Sequence, residues 1–269
     1  MKSLSLFSLL AITVVSCNQG PKHPQADLVN ARIGTPMTEA SILLYADSID
    51  ATLNTYEKNI SLVYQLGQAT MRVEKYSWNG KPVLFSQYEN DEGISNEIKK
   101  YYFKNDSLIL LREGAKITKQ GTDVFEDHRT YLRNNIPFKE EFRSSATLTS
   151  LKAEPFQIRK KTASDQTKEY NEDIKLLNDA VNGADKFDLV FDNVISAPDE
   201  RYILLKSKIA GGYTASILIK DTDSYVDSLL KDPSIYKDKK LNIKWEVRDK
   251  EAVYVPVAGS VTSANGLKR

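Results

Sequence analysis

The stretch YSWNGKPVLF, residues 76–85, carries one of the strongest short-range signals for a β-hairpin. Asn79-Gly80 suits a two-residue turn because both turn positions require residues that accept positive φ. The aromatic and branched side chains on either side of this pair are typical of strands. The stretch therefore predicts two antiparallel strands joined at Asn79-Gly80.

Two similar stretches follow, with weaker turn signals at Asn105-Asp106 and Asn134-Asn135. Together the three hairpins predict a meander of six antiparallel strands between Thr70 and Arg143, with wider connections at Asn90–Gly93 and Lys119–Asp123. The turns recur every 26 to 29 residues. This spacing is compatible with a repeat family, but an ordinary meander explains it as well.

A helix is predicted before the meander, from Pro36 to about Lys58. Its apolar residues recur at spacings of three and four, at Ile42, Ala46, Ile49, Leu53 and Tyr56. Polar residues lie between them, so the helix has one apolar stripe. We expect this stripe to pack on the sheet that follows.

The second half begins with a polar segment at 146–167, which we interpret as a linker. A helix is predicted from Lys168 to Val181, ending at Asn182-Gly183. Residues 187–257 then give the order strand, strand, strand, helix, strand, strand, which is that of an OB-fold. Residues 233–245, PSIYKDKKLNIKW, also resemble the YxGKxVxV segment of some bacterial OB-like envelope domains, with Asp238 in place of the glycine.

These patterns predict an α+β fold that is mostly β. An N-terminal helix would pack on an antiparallel meander, and a second helix and a small OB-like β-barrel would follow. The expected division is an apolar leader at 1–16, a polar tether at 17–35, a helix-plus-meander domain at 36–145, a linker at 146–167 and a helix-plus-OB-like domain at 168–269.

The N-terminus contains Cys17, the only cysteine of the chain. Lys2 precedes an apolar run from Leu4 to Val15, which is shorter than the roughly 20 residues of a membrane-spanning helix but suits a secretory signal. The sequence Val14-Val15-Ser16-Cys17 resembles the lipobox of bacterial lipoproteins, in which the signal is cleaved just before a lipid-modified cysteine. The resemblance implies lipid attachment at Cys17 and a position in the bacterial cell envelope.

Asn18 follows the cysteine in place of the aspartate that retains lipoproteins at the inner membrane of enteric-type bacteria, which favours the outer membrane. The next residues, up to Thr35, are polar and contain Pro21, Pro24 and His23. A flexible tether of this length reaches about 20–25 Å from the lipid.

The charge balance argues against nucleic acid as a partner. The chain has 37 basic and 36 acidic residues, and Lys2 is the only charged residue of the predicted signal peptide. The mature chain is therefore neutral, without the excess positive charge of a nucleic-acid-binding surface.

Candidate catalytic groups are few. His128 is the only histidine of the predicted folded body, on a strand face shared with Glu126 and Thr130, where it could act with Glu126 as a general base or be a solvated side chain. Ser228-x-x-Lys231 and Ser234-x-x-Lys237 match a common nucleophile motif without its companion sequences. The acids from Asp221 to Asp227 lack the glycine and the closing glutamate of an EF-hand, so we interpret them as a helix cap.

The sequence therefore predicts a non-enzymatic envelope lipoprotein without cofactor or metal. Its expected partners are the membrane, through the lipid, and an envelope protein, a saccharide or an apolar ligand. One alternative is a carrier that holds an apolar ligand between helix and sheet, as carriers of the LolA type do; another is an oligosaccharide- or peptide-binding OB-like module; an envelope hydrolase is the third. The candidate contact residues are aromatic: Trp78, Tyr102, Tyr131, Tyr202, Tyr213 and Trp245.

Overall fold

The computed structural model describes residues 37–159, 170–198 and 200–256. Helix α1 spans Glu39–Ala51, α2 Leu148–Ala153, α3 Asn171–Asn182 and α4 Ser224–Lys231. The strands of the first half are β1 (Glu57–Ile60), β2 (Tyr64–Leu66), β3 (Ala69–Trp78), β4 (Lys81–Asp91), β5 (Ser95–Lys104), β6 (Ser107–Lys119), β7 (Thr122–Arg133), β8 (Ile136–Ser145) and β9 (Gln157–Ile158). Those of the second half are β10 (Leu189–Ser196), β11 (Arg201–Ser207), β12 (Thr214–Leu218), β13 (Lys244–Arg248) and β14 (Glu251–Val255).

The predicted six-stranded meander is confirmed as β3–β8, in which each strand pairs antiparallel with the next. Its two-residue turns lie at the predicted pairs, and both residues of each pair have positive φ: 50° and 74° at Asn79-Gly80, 50° and 61° at Asn105-Asp106, and 53° and 64° at Asn134-Asn135. The connection predicted to be wide at Lys119–Asp123 is instead a two-residue turn at Gln120-Gly121. Gln120 adopts φ 51°, a conformation that its residue type does not signal.

The predicted OB-like β-barrel over 168–269 is corrected by the sheet topology. Its element order is as predicted, but β10–β12 and β14 join the meander in one open 14-stranded sheet. The junction is β12, whose first residues Thr214 and Ala215 pair with Gln65 and Tyr64 of β2. Its last residues Ile217 and Leu218 pair in parallel with β14. Strands β2 and β14 thus pair with successive parts of the same edge of β12. For this reason strands β10–β14 do not close into a barrel.

The segment predicted as a linker at 146–167 is structured in its described part. Helix α2 follows β8 directly, and β9 then pairs with β8 at Glu141 and Phe142. Strands from both sides of this segment lie in the same sheet, and residues from Glu39 onward form one compact unit. The segment is therefore not a break between two sheets.

The two faces of the meander are covered by different helices. On the front face, the predicted stripe of α1 buries Ile42, Ala46 and Ile49, each no more than 2% exposed. On the back face, Tyr170, Leu177 and Ala180 at α3 join a continuous core that extends to β10–β12 and α4. This helix ends as predicted, because Gly183 takes a left-handed conformation at φ 59°.

Candidate functional site: a cleft on the front face

The front face of the meander carries three rows of side chains placed by the strand register. The row nearest the Asn79, Asn105 and Asn134 turns is apolar and lies on the α1 side. It consists of Tyr76, Leu84, Tyr102, Leu110 and Tyr131. The second row is charged: Glu74, Ser86, Lys100, Arg112, Arg129 and Glu141. The third row is Arg72, Tyr88, Ile98, Gly114, Asp127 and Arg143.

Helix α2 lies over the far part of this face. Thr147 caps it, since its Oγ1 accepts a hydrogen bond of 3.1 Å from the Ser150 N–H. Arg143 of the third row fixes the other end, where Nη1 donates to the carbonyls of Lys152 and Glu154 at 3.3 Å each. The N-terminal turn of the helix is therefore capped from within, and Arg143 fixes its C-terminal end to the sheet.

A cavity of about 390 Å³ lies between α2 and the sheet. Its walls are mainly apolar, formed by Tyr88, Ile98, Phe125, Leu148 and Leu151. Leu151 is buried, whereas Leu148 at the rim is 53% exposed and Ile98 on the floor is 45% exposed. A volume of this size falls within the range of about 300–1,000 Å³ that is typical of small-molecule sites.

The charged residues around this cavity largely neutralise one another. Arg72 lies 3.3 Å from Glu74 and stacks on the ring of Tyr88, with its guanidinium carbon 4.3 Å from the ring centre. Asp127 is held by Nε and Nη2 of Arg143 at 2.9 and 2.6 Å. These pairs fix the polar walls, so the cavity offers mainly apolar surface. Within the described chain, the charged residue of this lining that forms no ion pair is Lys250, at the β13–β14 turn.

A second cavity of about 310 Å³ continues from the first along the front face. It lies between α1, which contributes Leu43 and Asp47, and Phe156 beyond α2. The two cavities share Ile98, Gly114 and Asp127. We call the first the α2 cavity, the second the cationic slot, and the two together the cleft.

The cationic slot is lined by the three cations of the second row. Lys100 is paired with Asp50 at 3.0 Å, and Arg112 with Asp47 at 2.7 Å. Arg129 stacks on Phe156, its guanidinium carbon 3.7 Å from the ring centre. Arg129 forms no ion pair with any carboxylate of the described residues. The carboxylate opposite it on β8, Glu141, is paired with Lys139 at 2.8 Å, so Arg129 is the one cation of the three without an ion pair of its own among these residues.

Arg112 has one further feature. Its Nε is buried, and it is the one buried side-chain nitrogen or oxygen in the described part of the chain that has no hydrogen-bond partner. A buried donor without an acceptor costs about 1–3 kcal/mol. This unsatisfied donor is closed off from solvent beneath the slot-lining guanidinium of Arg112.

The aromatic candidates of the first half lie outside the cleft. Tyr102 and Tyr131 are almost fully buried in the apolar row, where their hydroxyls donate to Asp50 at 2.8 Å and Glu141 at 2.9 Å. These contacts, with burial, raise the pKa of both tyrosines. Trp78 lies next to the Asn79-Gly80 turn, 56% exposed, with its ring at a right angle to that of Tyr56.

The candidates of the second half also lie away from the cleft. Tyr213 packs on Phe187 with 4.7 Å between ring centres. Trp245 lies half-buried against the main core. The hydroxyl of Tyr202 donates to Glu200 at 2.6 Å. None of the six predicted contact residues lines either cavity.

The candidate catalytic residues have other partners. His128 shares its face with Glu126, as predicted, with 3.4 Å between Nε2 and the carboxylate, and its ring stacks on Phe142. Ser228 Oγ donates to the Tyr225 carbonyl at 2.6 Å. Lys237 is paired with Asp192 at 2.9 Å. These contacts hold the side chains in the surface network and bring no nucleophile to His128 among the described residues.

The acidic stretch at 221–227 forms the cap of α4. Within this stretch it is Asp223 whose Oδ1 accepts from the backbone N–H groups of Tyr225 and Val226, at 3.0 and 2.9 Å. Its Oδ2 accepts from the buried hydroxyl of Tyr254 at 2.8 Å. Across residues 37–159, 170–198 and 200–256, no cluster of three or more His, Cys, Asp or Glu side chains is placed to hold a metal ion.

Comparisons of the chain with protein-family models, with curated proteins and with solved structures found no match. Within the described part of the chain, no helix is both long and apolar enough to cross a membrane. Cys17, the predicted signal and the whole of the predicted tether lie outside the described residues.

Sequence analysis did not identify the cleft. Its residues come mainly from five strands and from helices α1 and α2, so no contiguous motif marks them. Two signals were present: Gly114 within a run of strand-forming residues, and cations at positions 100, 112 and 129. The turns at Asn105-Asp106 and Gln120-Gly121 place these three cations directly opposite one another.

Proposed function

We propose that this protein is a lipid-anchored envelope lipoprotein that binds an apolar ligand in the cleft and catalyses no reaction. The observation that carries the proposal is the α2 cavity, which is open to solvent and walled by Tyr88, Ile98, Phe125, Leu148 and Leu151. Exposed apolar surface that lines a concavity is typical of a ligand site. The lipobox resemblance at Val14–Cys17 supports the location, attached to the bacterial outer membrane through Cys17.

The shape of the cleft supports a binding role better than a scaffolding role. The sheet provides a floor, and Arg143 fixes the C-terminal end of α2 over it. A site with fixed walls loses little conformational entropy when it binds a ligand. This arrangement favours the carrier among the functions considered from the sequence, with a small apolar molecule as its partner.

The binding experiment uses the complete mature chain, residues 17–269, with Cys17→Ser so that no detergent is needed. Titration with the neutral fluorescent probe N-phenyl-1-naphthylamine should give saturable binding of one molecule per chain. Leu148→Asp should weaken this binding at least about tenfold, because it places a charge at the rim of the apolar cavity. The matched control is Ile136→Asp, since Ile136 is 65% exposed on the β7–β8 hairpin, outside the cleft.

Equal loss of binding in both variants, or no saturable binding by the parent chain, would contradict the binding role. The anchor is tested separately by membrane fractionation of cells that express the wild-type chain or Cys17→Ser, with and without globomycin. We expect the wild type in the membrane fraction and the variant in the soluble one. A wild-type chain that is soluble and unmodified would contradict the lipoprotein assignment.

A further inference from the structure

We propose that the ligand of the cleft is an anionic amphiphile, with a single apolar tail in the α2 cavity and an acidic head group at Arg112 and Arg129 in the cationic slot. This inference rests on the proposed binding function and specifies the chemical class of the ligand. It follows from three features of the front face: the continuity of the two cavities, their different chemistry, and the incomplete pairing of the cations.

The continuity depends on Gly114, which is in the floor of both cavities. It lies inside β6, a strand of 13 residues, between Ile98 and Asp127 of the neighbouring strands. A glycine inside a strand weakens it and often marks a place where a ligand approaches the backbone. Without a side chain at position 114, the floor stays low where the cavities meet, so one elongated molecule can occupy both.

The chemistry changes along the cleft. In the α2 cavity, Arg72 and Asp127 are neutralised by Glu74 and Arg143. In the cationic slot, three cations stand opposite one another on adjacent strands, an arrangement that is unfavourable unless anions compensate it. Asp47 and Asp50 of α1 compensate Lys100 and Arg112 but not Arg129.

The remaining acids near the slot have other partners or lie on the other face. Glu141, opposite Arg129 on β8, is paired with Lys139 at 2.8 Å and accepts a hydrogen bond from the Tyr131 hydroxyl at 2.9 Å. Asp127 is held by two nitrogens of Arg143. Glu113 belongs to the opposite face of β6, because it alternates with Arg112 and Gly114. The guanidinium groups of Arg129 and Arg112, which line the slot, are thus the groups there that can donate to an acidic head. Carboxylate and phosphate oxygens both accept such charge-assisted bonds.

The test compares two probes that differ only in head-group charge, cis-parinaric acid and its methyl ester, on the mature chain with Cys17→Ser. Both have the same tail, so the α2 cavity contributes equally to their binding. We expect the acid to bind at least about tenfold more tightly than the ester, because a hydrogen bond to a charged group favours only the acid. Competition by dodecanoate and by dodecyl phosphate then identifies the head group that the slot prefers.

Two variants locate the head and the tail. Arg129→Gln should reduce the preference for the acid to less than about threefold and leave ester binding unchanged, since Arg129 forms no ion pair with the carboxylates of the described residues that the substitution would break. Arg133→Gln is the matched control, because it removes an exposed arginine from the same strand outside the cleft and should change neither probe. Gly114→Val should weaken both probes, because its side chain fills the junction; circular dichroism confirms that the sheet is retained.

The outcomes separate this inference from the proposed function. If acid and ester bind equally well, or if Arg129→Gln leaves the preference unchanged, the anionic head is wrong and the apolar site stands. If Gly114→Val binds both probes like the parent chain, the placement across the junction is wrong. If neither probe binds and N-phenyl-1-naphthylamine also fails, the proposed function itself is wrong. Failure of both dodecyl competitors to displace cis-parinaric acid would also overturn the inference.

Discussion

The hydroxyl of Tyr102 donates a hydrogen bond of 2.8 Å to Oδ2 of Asp50, which joins the buried apolar row of the sheet to helix α1. The same carboxylate is paired with Lys100 at 3.0 Å through Oδ1 and with Arg112 at 3.4 Å through Oδ2. Tyr102 is fully buried and Asp50 only partly so. This contact fixes the helix that forms one side of the cationic slot.

Removing this hydroxyl should destabilise the fold. We expect Tyr102→Phe to lower the free energy of unfolding by about 1–2 kcal/mol, because a buried hydrogen bond to a charged group is lost while the ring still packs. Urea denaturation followed by circular dichroism measures the change. Tyr202→Phe is the control: its bond to Glu200 is exposed, so the change should be below about 0.5 kcal/mol. Equal effects of the two substitutions would contradict the structural role of Tyr102.

Removing the cap of α4 should destabilise the fold more than substitution at most polar positions. Asp223→Ala removes the acceptor of two backbone N–H groups and leaves the buried Tyr254 hydroxyl without this carboxylate. We expect a loss of about 2–3 kcal/mol in the free energy of unfolding. Asp221→Ala and Asp227→Ala, at exposed positions of the same stretch, should each cost less than about 0.5 kcal/mol. A large loss of stability in Asp221→Ala with none in Asp223→Ala would show that Asp221, and not Asp223, caps α4.

A pH dependence is expected at Asp192. Hydrogen bonds from Lys237 and then Lys206 hold the pKa of its carboxyl below the ordinary value for aspartate. A lowered pKa in the folded state means that the stabilisation is present above the unfolded pKa, near about 4, and is lost as the pH falls through the folded pKa. We expect wild type and Asp192→Asn to differ by less than about 1 kcal/mol at pH 7, since the group is partly exposed.

This difference should shrink as the pH is lowered from about 5 to about 2. Urea denaturation of both proteins across that range measures it. Asp106→Asn provides a comparison with an ion pair that lies on an exposed hairpin, since Asp106 pairs there with Lys81. A difference between wild type and Asp192→Asn that stays constant over the whole range would show that the pairing with Lys237 and Lys206 does not contribute.

The fourth prediction concerns Asp238, which stands where the resembled segment has glycine. It adopts φ 58°, a left-handed conformation that glycine accepts without strain. Asp238→Gly should therefore change the free energy of unfolding by less than about 0.5 kcal/mol. The same substitution at Asp232, where φ is −146°, should lower the free energy of unfolding by about 1 kcal/mol. At that φ glycine relieves no strain in the folded state and adds conformational freedom to the unfolded chain. Thermal unfolding of the two variants checks the contrast, and a larger loss at Asp238 would contradict it.

The sequence predicted those parts of the fold that depend on neighbours along the chain. The turn pairs at Asn79, Asn105 and Asn134 and the helix stop at Gly183 each have a local chemical cause, and each is present in the structure. The turn at Gln120-Gly121 was missed because glutamine rarely adopts positive φ. The single sheet was missed because the pairing of β12 with β2 joins residues far apart in sequence, which no local pattern records.

The cleft illustrates the same limit. Aromatic residues were chosen as ligand contacts by type, yet Tyr102 and Tyr131 serve the core, and the cavity walls come from Ile98, Phe125 and Leu148. Which face a residue occupies could have been read from the alternation once the turns were fixed. The position of α2 could not have been predicted in this way, because it depends on the hydrogen bonds from Arg143 to the carbonyls of residues 152 and 154.

The shared edge of β12 also has a consequence for biosynthesis. Thr214 and Ala215 complete the edge formed by Gln65 and Tyr64, yet they emerge from the ribosome about 150 residues later. Until then β2 presents unpaired backbone groups, the kind of edge that invites pairing between chains. Truncation before β12 should therefore yield an aggregating protein rather than a soluble meander. Folding should be slow for a chain of this size, because the strands β2 and β12 that must pair are so distant in sequence.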